Sequence, residues 1–247
     1  MIIQLIKEDA GMEQIGLIGG VSWVSTMEYY RRLNLIAQAA GRHSSAKIIM
    51  HSLNFCEILK FQQEGDEEGE FRILIQAATE LERSGATKLL ICSNTTSNTC
   101  DRLERQLSIP VINIIDATVS AIQRSGFRRI GLLGTKYVME RGFYIERCRK
   151  EGLTIKVPGA VHRGAVHDAI YDDLCQCNFS ERATRAVKGA IDDLLDQNVE
   201  AVILGCTELP LIVEQISPPP GVVLIDSIDA HIAAALRPDG AQRALEV

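Results

Sequence analysis

Three short segments of this chain recur in one order at nearly one spacing. Ile15-Gly16-Leu17-Ile18-Gly19 returns as Ile130-Gly131-Leu132-Leu133-Gly134, an offset of 115 residues. Leu89-Leu90-Ile91-Cys92-Ser93-Asn94-Thr95 returns as Val202-Ile203-Leu204-Gly205-Cys206-Thr207-Glu208, an offset of 113. Val111-Ile112-Asn113-Ile114-Ile115-Asp116-Ala117 returns as Leu224-Ile225-Asp226-Ser227-Ile228-Asp229-Ala230, again at 113. A repeat of this length gives two units of roughly 110 residues, an ordinary domain size. The duplication therefore predicts two pseudosymmetric lobes, one spanning 12–114 plus 226–240 and the other 115–225. It also makes Ser93 and Cys206 equivalent positions, a hydroxyl matched with a thiol.

Within each half, short apolar runs alternate with amphipathic stretches. Residues 14–18, 46–51, 88–92 and 111–115 read as buried strands, because they are continuous Ile- and Leu-rich runs without a polar face. Residues 26–39, 71–84 and 99–106 carry helical spacing. In the second half 129–133, 202–205 and 222–225 read as strands, and 139–151, 180–197 and 228–236 as helices. This β-α-β-α order predicts an α/β fold of two Rossmann-like lobes with parallel sheets. The loops after the strand C-termini are then the expected active-site loops. Ser180 is placed to cap the long helix. Residues 218–221, Pro-Pro-Pro-Gly, read as a connector. Residues 1–11 and 241–247 read as mobile tails.

Composition narrows the function. Net charge is −6 with basic residues spread along the chain, so nucleic acid is not an expected partner. No apolar run reaches membrane-spanning length. Glu8 and Asp9 interrupt any signal-peptide pattern. Seven cysteines, an odd number in a chain this long, fit reduced thiols and a cytoplasmic location better than a disulfide framework. Cys175 and Cys177 lack partners at metal-site spacing and read as two helix-end cysteines, one buried and one exposed.

Two strand ends carry the chemistry. The Gly19-Gly20 pair serves either a close ligand approach or a tight turn into the next helix; it is not a dinucleotide fingerprint, because G-x-G-x-x-G is absent. Cys206 follows a buried strand beside an expected helix N-terminus, a setting that lowers a thiol pKa. Its counterpart Ser93 is followed by Asn94 and Thr95.

Gly19-Gly20-Val21-Ser22-Trp23 with Ser25-Thr26 and Tyr29-Tyr30 resembles the opening signature of the aspartate/glutamate racemase family. His51-Ser52-Leu53-Asn54-Phe55, Leu133-Gly134-Thr135 and Leu204-Gly205-Cys206-Thr207-Glu208 resemble its later blocks, so the resemblance runs from about residue 14 to about 234. It implies an active site between two lobes, no pyridoxal phosphate or metal, and a homodimer. It also implies α-proton exchange between two opposed acid/base groups on a small amino acid or carboxylate. Cys206 takes one such place and is expected, by the same resemblance, to face the hydrogen of the L-enantiomer. Ser93 stands where the family's first cysteine is expected, Ser97 where a histidine follows it, and Ala165 where a lysine often binds an acidic side chain.

The expected machinery is therefore Cys206 as principal acid/base, with Ser93 opposite. Asn94, Thr95 and Thr207 are expected to hold the α-carboxylate, Ser22 the amino group, and Thr135 belongs to the same set. His51 either binds a carboxylate or is a satisfied core histidine. Arg163 either binds a distal substrate group or lines a polar loop that also holds His162 and His167. The leading reading is a cofactor-independent racemase or epimerase of an aspartate- or glutamate-like amino acid. A decarboxylase or isomerase using Cys206 alone, and a non-catalytic binding homologue, are the alternatives.

Overall fold

The computed structural model describes residues 13–213, 215–216 and 221–237. The expected tails and residues 218–220 of the connector lie outside the described residues. The first half runs β1 (Ile15–Gly19), α1 (Trp23–Ala40), β2 (Ile48–Ser52), α2 (Phe55–Glu64), α3 (Glu67–Arg83), β3 (Lys88–Ile91), α4 (Cys100–Glu104) and β4 (Val111–Ile112). The second runs α5 (Ile114–Ser125), β5 (Arg129–Leu133), α6 (Lys136–Glu140), α7 (Phe143–Lys150), β6 (Thr154–Lys156), α8 (Ala160–Asp168), α9 (Glu181–Asp196), β7 (Ala201–Leu204), α10 (Leu209–Val213), β8 (Val223–Asp226) and α11 (Ser227–Ala235).

The repeat in the sequence is a repeat in the topology. One sheet has the order β2-β1-β3-β4 and the other β6-β5-β7-β8, and every pairing is parallel. The α/β class with two parallel-sheet lobes is thus established. In each sheet the central pair, β1 with β3 or β5 with β7, is almost wholly buried, which is why those runs contain no polar face. In the first, Ile18, Leu89 and Ile91 pack against Phe71, Leu74 and Ala78 of α3. In the second, Ile130, Leu132 and Ile203 pack with Ile115, Val119 and Ile122 of α5 and with Tyr144.

The chain separates into two compact units. Unit one takes the chain up to Cys92, Thr99–Asn113 and the chain from His231 onward. Unit two takes Ser93–Asn98 and Ile114–Ala230. Ser93–Asn98 and Ile114, given to lobe one by the sequence repeat, thus group with unit two, as do residues 226–230. In unit one, the last helix is held by a buried chain of hydrogen bonds. Tyr29 Oη lies 2.7 Å from His231 Nδ1, and His231 Nε2 lies 2.7 Å from the Ile112 carbonyl.

Several elements differ from the sequence expectation. The run 111–115 is only a two-residue strand, because α5 already starts at Ile114 and the Thr118 hydroxyl donates back to the Ile114 carbonyl. The stretch 139–151 is two helices, broken at Gly142, whose φ of 85° no helical residue adopts. The polar loop expected around 162–167 is helix α8, continued by a π-helical stretch Ala169–Asp173. Ser180 does cap α9, accepting from the Ala183 N–H at 3.1 Å.

Candidate active site

The two strand ends of unit two lie close together because both are glycine. A Cβ at Gly134, after β5, would sit 2.8 Å from the Gly205 carbonyl, and the Gly205 N–H donates to Leu133 O at 2.6 Å. Thr135 and Cys206 follow directly. Thr135 caps α6, accepting from the Val138 N–H, and its hydroxyl lies 3.1 Å from the hydroxyl of Thr95. Two hydroxyls sharing one hydrogen bond leave one O–H free to donate, which suits a carboxylate.

Asn94 is tied to the same sheet. Its Nδ2 donates to Ser227 Oγ at 3.0 Å, and Ser227 Oγ donates to the Leu204 carbonyl at 2.8 Å. A carbonyl can only accept, so the single Ser227 proton is committed there. Ser227 must then accept from Asn94, which fixes the orientation of the amide. Asn94 Oδ1 is left buried with no partner among the described residues. An unpaired buried acceptor is costly, and it suits a donor such as an ammonium group.

Cys206 and Glu208 form a buried thiol–carboxylate pair. The Cys206 thiol lies 3.0 Å from Glu208 Oε2, and the Thr207 hydroxyl donates to the same oxygen at 3.1 Å. All three residues are buried. Burial first, then the Glu208 carboxylate, push the Cys206 thiol well above its usual range. The lowered value expected from the helix N-terminus is therefore reversed. The following helix, α10, has five residues, and an anion two residues away outweighs it. At rest Cys206 is a neutral thiol donating to a carboxylate. Glu208 lies within the quoted Cys206-Thr207-Glu208 block but was given no role there; the contact with the thiol makes it a candidate site residue.

Ser93 sits at the matching strand end with different neighbours. Its Oγ accepts from the Thr96 N–H at 3.3 Å, and its carbonyl accepts from the Ser97 hydroxyl at 2.6 Å. Among the described residues no acceptor takes the Ser93 hydroxyl proton. Cys92, one residue earlier, is fully buried, and burial raises its thiol pKa strongly. It is a packing residue.

The remaining candidates fall in both units. Ser22 belongs to unit one, buried, with its carbonyl accepting from the hydroxyls of Ser25 and Thr26. The neighbouring glycines are explained by packing: a Cβ at Gly20, where φ is 81°, would run into the backbone of Leu53, and one at Gly19 into Thr26. His51, also in unit one, has Nδ1 3.1 Å from a Glu80 carboxylate oxygen. Arg163 lies on α8 and is engaged by Glu140 at 2.7 Å and by the Pro158 carbonyl at 2.7 Å. Ala165 is exposed on the same helix. Cys175 is buried and Cys177 exposed, and no metal-binding cluster occurs among the described residues. Nor is any described helix long and apolar enough to cross a membrane.

A family model for Asp/Glu/hydantoin racemases matches residues 18–235. The chain belongs to that family. A Yersinia pestis protein of the Asp/Glu racemase type superposes with a TM-score of 0.80 at 39% identity, over 91% of this chain and 98% of that one. An aspartate racemase homologue from Pyrococcus horikoshii superposes with a TM-score of 0.76 at 33% identity, over 91% and 97%. A glutamate racemase from Thermus thermophilus is 28% identical over 177 residues, 68% of this chain and 63% of that enzyme. The expectation of a racemase-type isomerase rests on this membership and on the resemblance of the motifs.

Proposed function

We propose that this protein interconverts the enantiomers of an amino acid by α-proton exchange, with Cys206 as the principal acid/base and Ser93 as the second proton donor. The observation that carries the reading is the buried thiol–carboxylate contact of Cys206 with Glu208. The Glu208 carboxylate takes the thiol proton as the Cys206 sulfur takes the α-hydrogen. Because the thiolate forms in a dry setting that disfavours it, it is a strong base. The electron pair left on the α-carbon delocalises into the α-carboxylate, held by the Thr95–Thr135 hydroxyl pair. Asn94 Oδ1 accepts from the substrate ammonium. The Ser93 hydroxyl, whose proton is uncommitted, delivers a proton to the opposite face and is reprotonated by water; the hydroxide left takes the proton from Glu208, which restores the resting thiol and carboxylate. One hydrogen leaves the α-carbon and one arrives, so the substrate changes only its configuration.

An aspartate- or glutamate-like substrate, a homodimeric state and a cytoplasmic location belong to the same proposal. Ser93 has no base beside it, and this favours one second reading: decarboxylation of a small diacid, which needs a single proton donor after carbon dioxide leaves. The test is incubation with L- and D-amino acids in deuterated water, followed by NMR of the α-position and chiral chromatography. Deuterium in both enantiomers is expected. Absence of α-exchange from every amino acid tried, with carbon dioxide released from a malonate-type acid, establishes the second reading instead.

A further inference from the structure

Directly after Thr135, unit two carries a lysine that makes no ion pair among the described residues. Lys136 is half-buried at the start of α6. Its ammonium would lie 4.0 Å from a Cβ at Gly164, so it reaches across to α8. Among the described residues it has no carboxylate partner. Glu140, on its own helix, is engaged by Arg163, and Asp172 by Arg182; Asp168, like those two, acts on His167 electrostatically and makes no ion pair with Lys136.

His167 of α8 completes the arrangement. Its Nδ1 accepts from the Lys136 backbone N–H at 3.3 Å, which leaves the ring proton on Nε2. Burial, then the neighbouring Lys136 charge, lower its pKa, so the ring is neutral near pH 7. The Nε2–H has no acceptor among the described residues. The ring is held edge-on between Tyr137, with centroids 6.0 Å apart, and Tyr171, at 4.7 Å. Tyr171 in turn lies within electrostatic reach of Cys206 and Glu208. Tyr171 thus stands between His167, which it packs against, and the Cys206–Glu208 pair, whose charges it senses.

We propose that Lys136 and the His167 Nε2–H form a subsite for the side-chain carboxylate of an acidic amino acid. The proposal rests on the racemase reading for its substrate class and deepens it. A positive charge one residue from Thr135 offers the distal carboxylate an ion pair, while Thr95 and Thr135 hold the α-carboxylate. It also offsets Glu208, which otherwise repels a dianionic substrate. The exposed Ala165 is then no loss, because the cation comes from α6 instead.

The experiment compares full-length wild type, Lys136→Met and Lys136→Arg. It measures kcat/KM for α-deuteration of aspartate and glutamate against asparagine and glutamine. The acid-over-amide ratio is expected to fall about ten- to a hundredfold in Lys136→Met, mainly through KM, and to recover largely in Lys136→Arg. An unchanged ratio, or equal losses on both substrate classes, overturns the subsite while leaving the racemase reading intact. Should wild type exchange no α-hydrogen, succinate binding by calorimetry decides the subsite separately. Succinate bound by wild type and lost in Lys136→Met upholds it; equal binding by both, or by neither, overturns it.

Discussion

The same strand end occurs twice in this molecule, and the two copies are furnished differently. Ser93 and Cys206 occupy equivalent positions after β3 and β7, and two residues later Thr95 matches Glu208. After β7 the carboxylate turns back onto its own loop and accepts the thiol proton. After β3 the Thr95 hydroxyl meets that of Thr135 instead, and among the described residues no acceptor takes the Ser93 proton. Among the described residues, one copy thus has a carboxylate beside its acidic atom and the other has none. Duplication supplies two positions of equal geometry; the side chains two residues on decide what each can do.

The largest test of this asymmetry is Cys206→Ser. With the strong base gone, α-deuteration is expected to fall by about three powers of ten or more, with the thermal unfolding midpoint little changed. Near-normal exchange in that variant removes Cys206 from the central role.

Glu208→Gln strikes the same loop more gently. Turnover is expected to drop about a hundredfold, because the amide cannot take the thiol proton. The pH dependence has a definite sign. The Glu208 charge raises the Cys206 pKa, so removing it lowers that pKa. Alkylation of Cys206 by iodoacetamide should then begin at lower pH than in wild type. A profile moved upward contradicts the pairing.

Ser93→Cys makes the two strand ends alike in their acidic atom. Exchange from the D-enantiomer is expected to rise severalfold, with the L-side rate little affected, since a thiol ionises far more readily than a hydroxyl. Equal D-side rates in the variant and wild type show that the hydroxyl is not limiting. The smallest catalytic effect belongs to Cys92→Ala, one residue before Ser93. It should cost about 1–2 kcal/mol of stability by leaving a cavity, as read from denaturant unfolding, with turnover preserved. A large loss of turnover at unchanged stability would mean that Cys92, not Ser93, works at this strand end.

Much of this was legible in the chain itself. Buried parallel strands must be apolar on both faces, so β1, β3, β5 and β7 stand out as continuous runs. The repeat of those runs fixed two lobes of one topology. Motifs ending strands pointed to Ser93, Asn94, Thr95, Thr135, Cys206 and Thr207, and the structure links Asn94 to Ser227 and Leu204, Thr95 to Thr135, and Cys206 and Thr207 through Glu208. Helix α8 was not legible, because Arg163, Gly164 and the two histidines give a polar pattern that only its packing on the rest of unit two makes helical.

What the sequence by itself determined is the class of fold, the duplication and the strand end on which Cys206 stands, since each follows from local pattern and repeats. What only the tertiary structure decided is the state of that thiol and the duty of its neighbours. A pKa depends on burial and on charges brought near through space, so a strand-end cysteine that reads as acidic became a weak acid beside Glu208. Likewise the Asn94 amide is oriented by Ser227, 133 residues away in sequence, through a hydrogen-bond relay that no local pattern records.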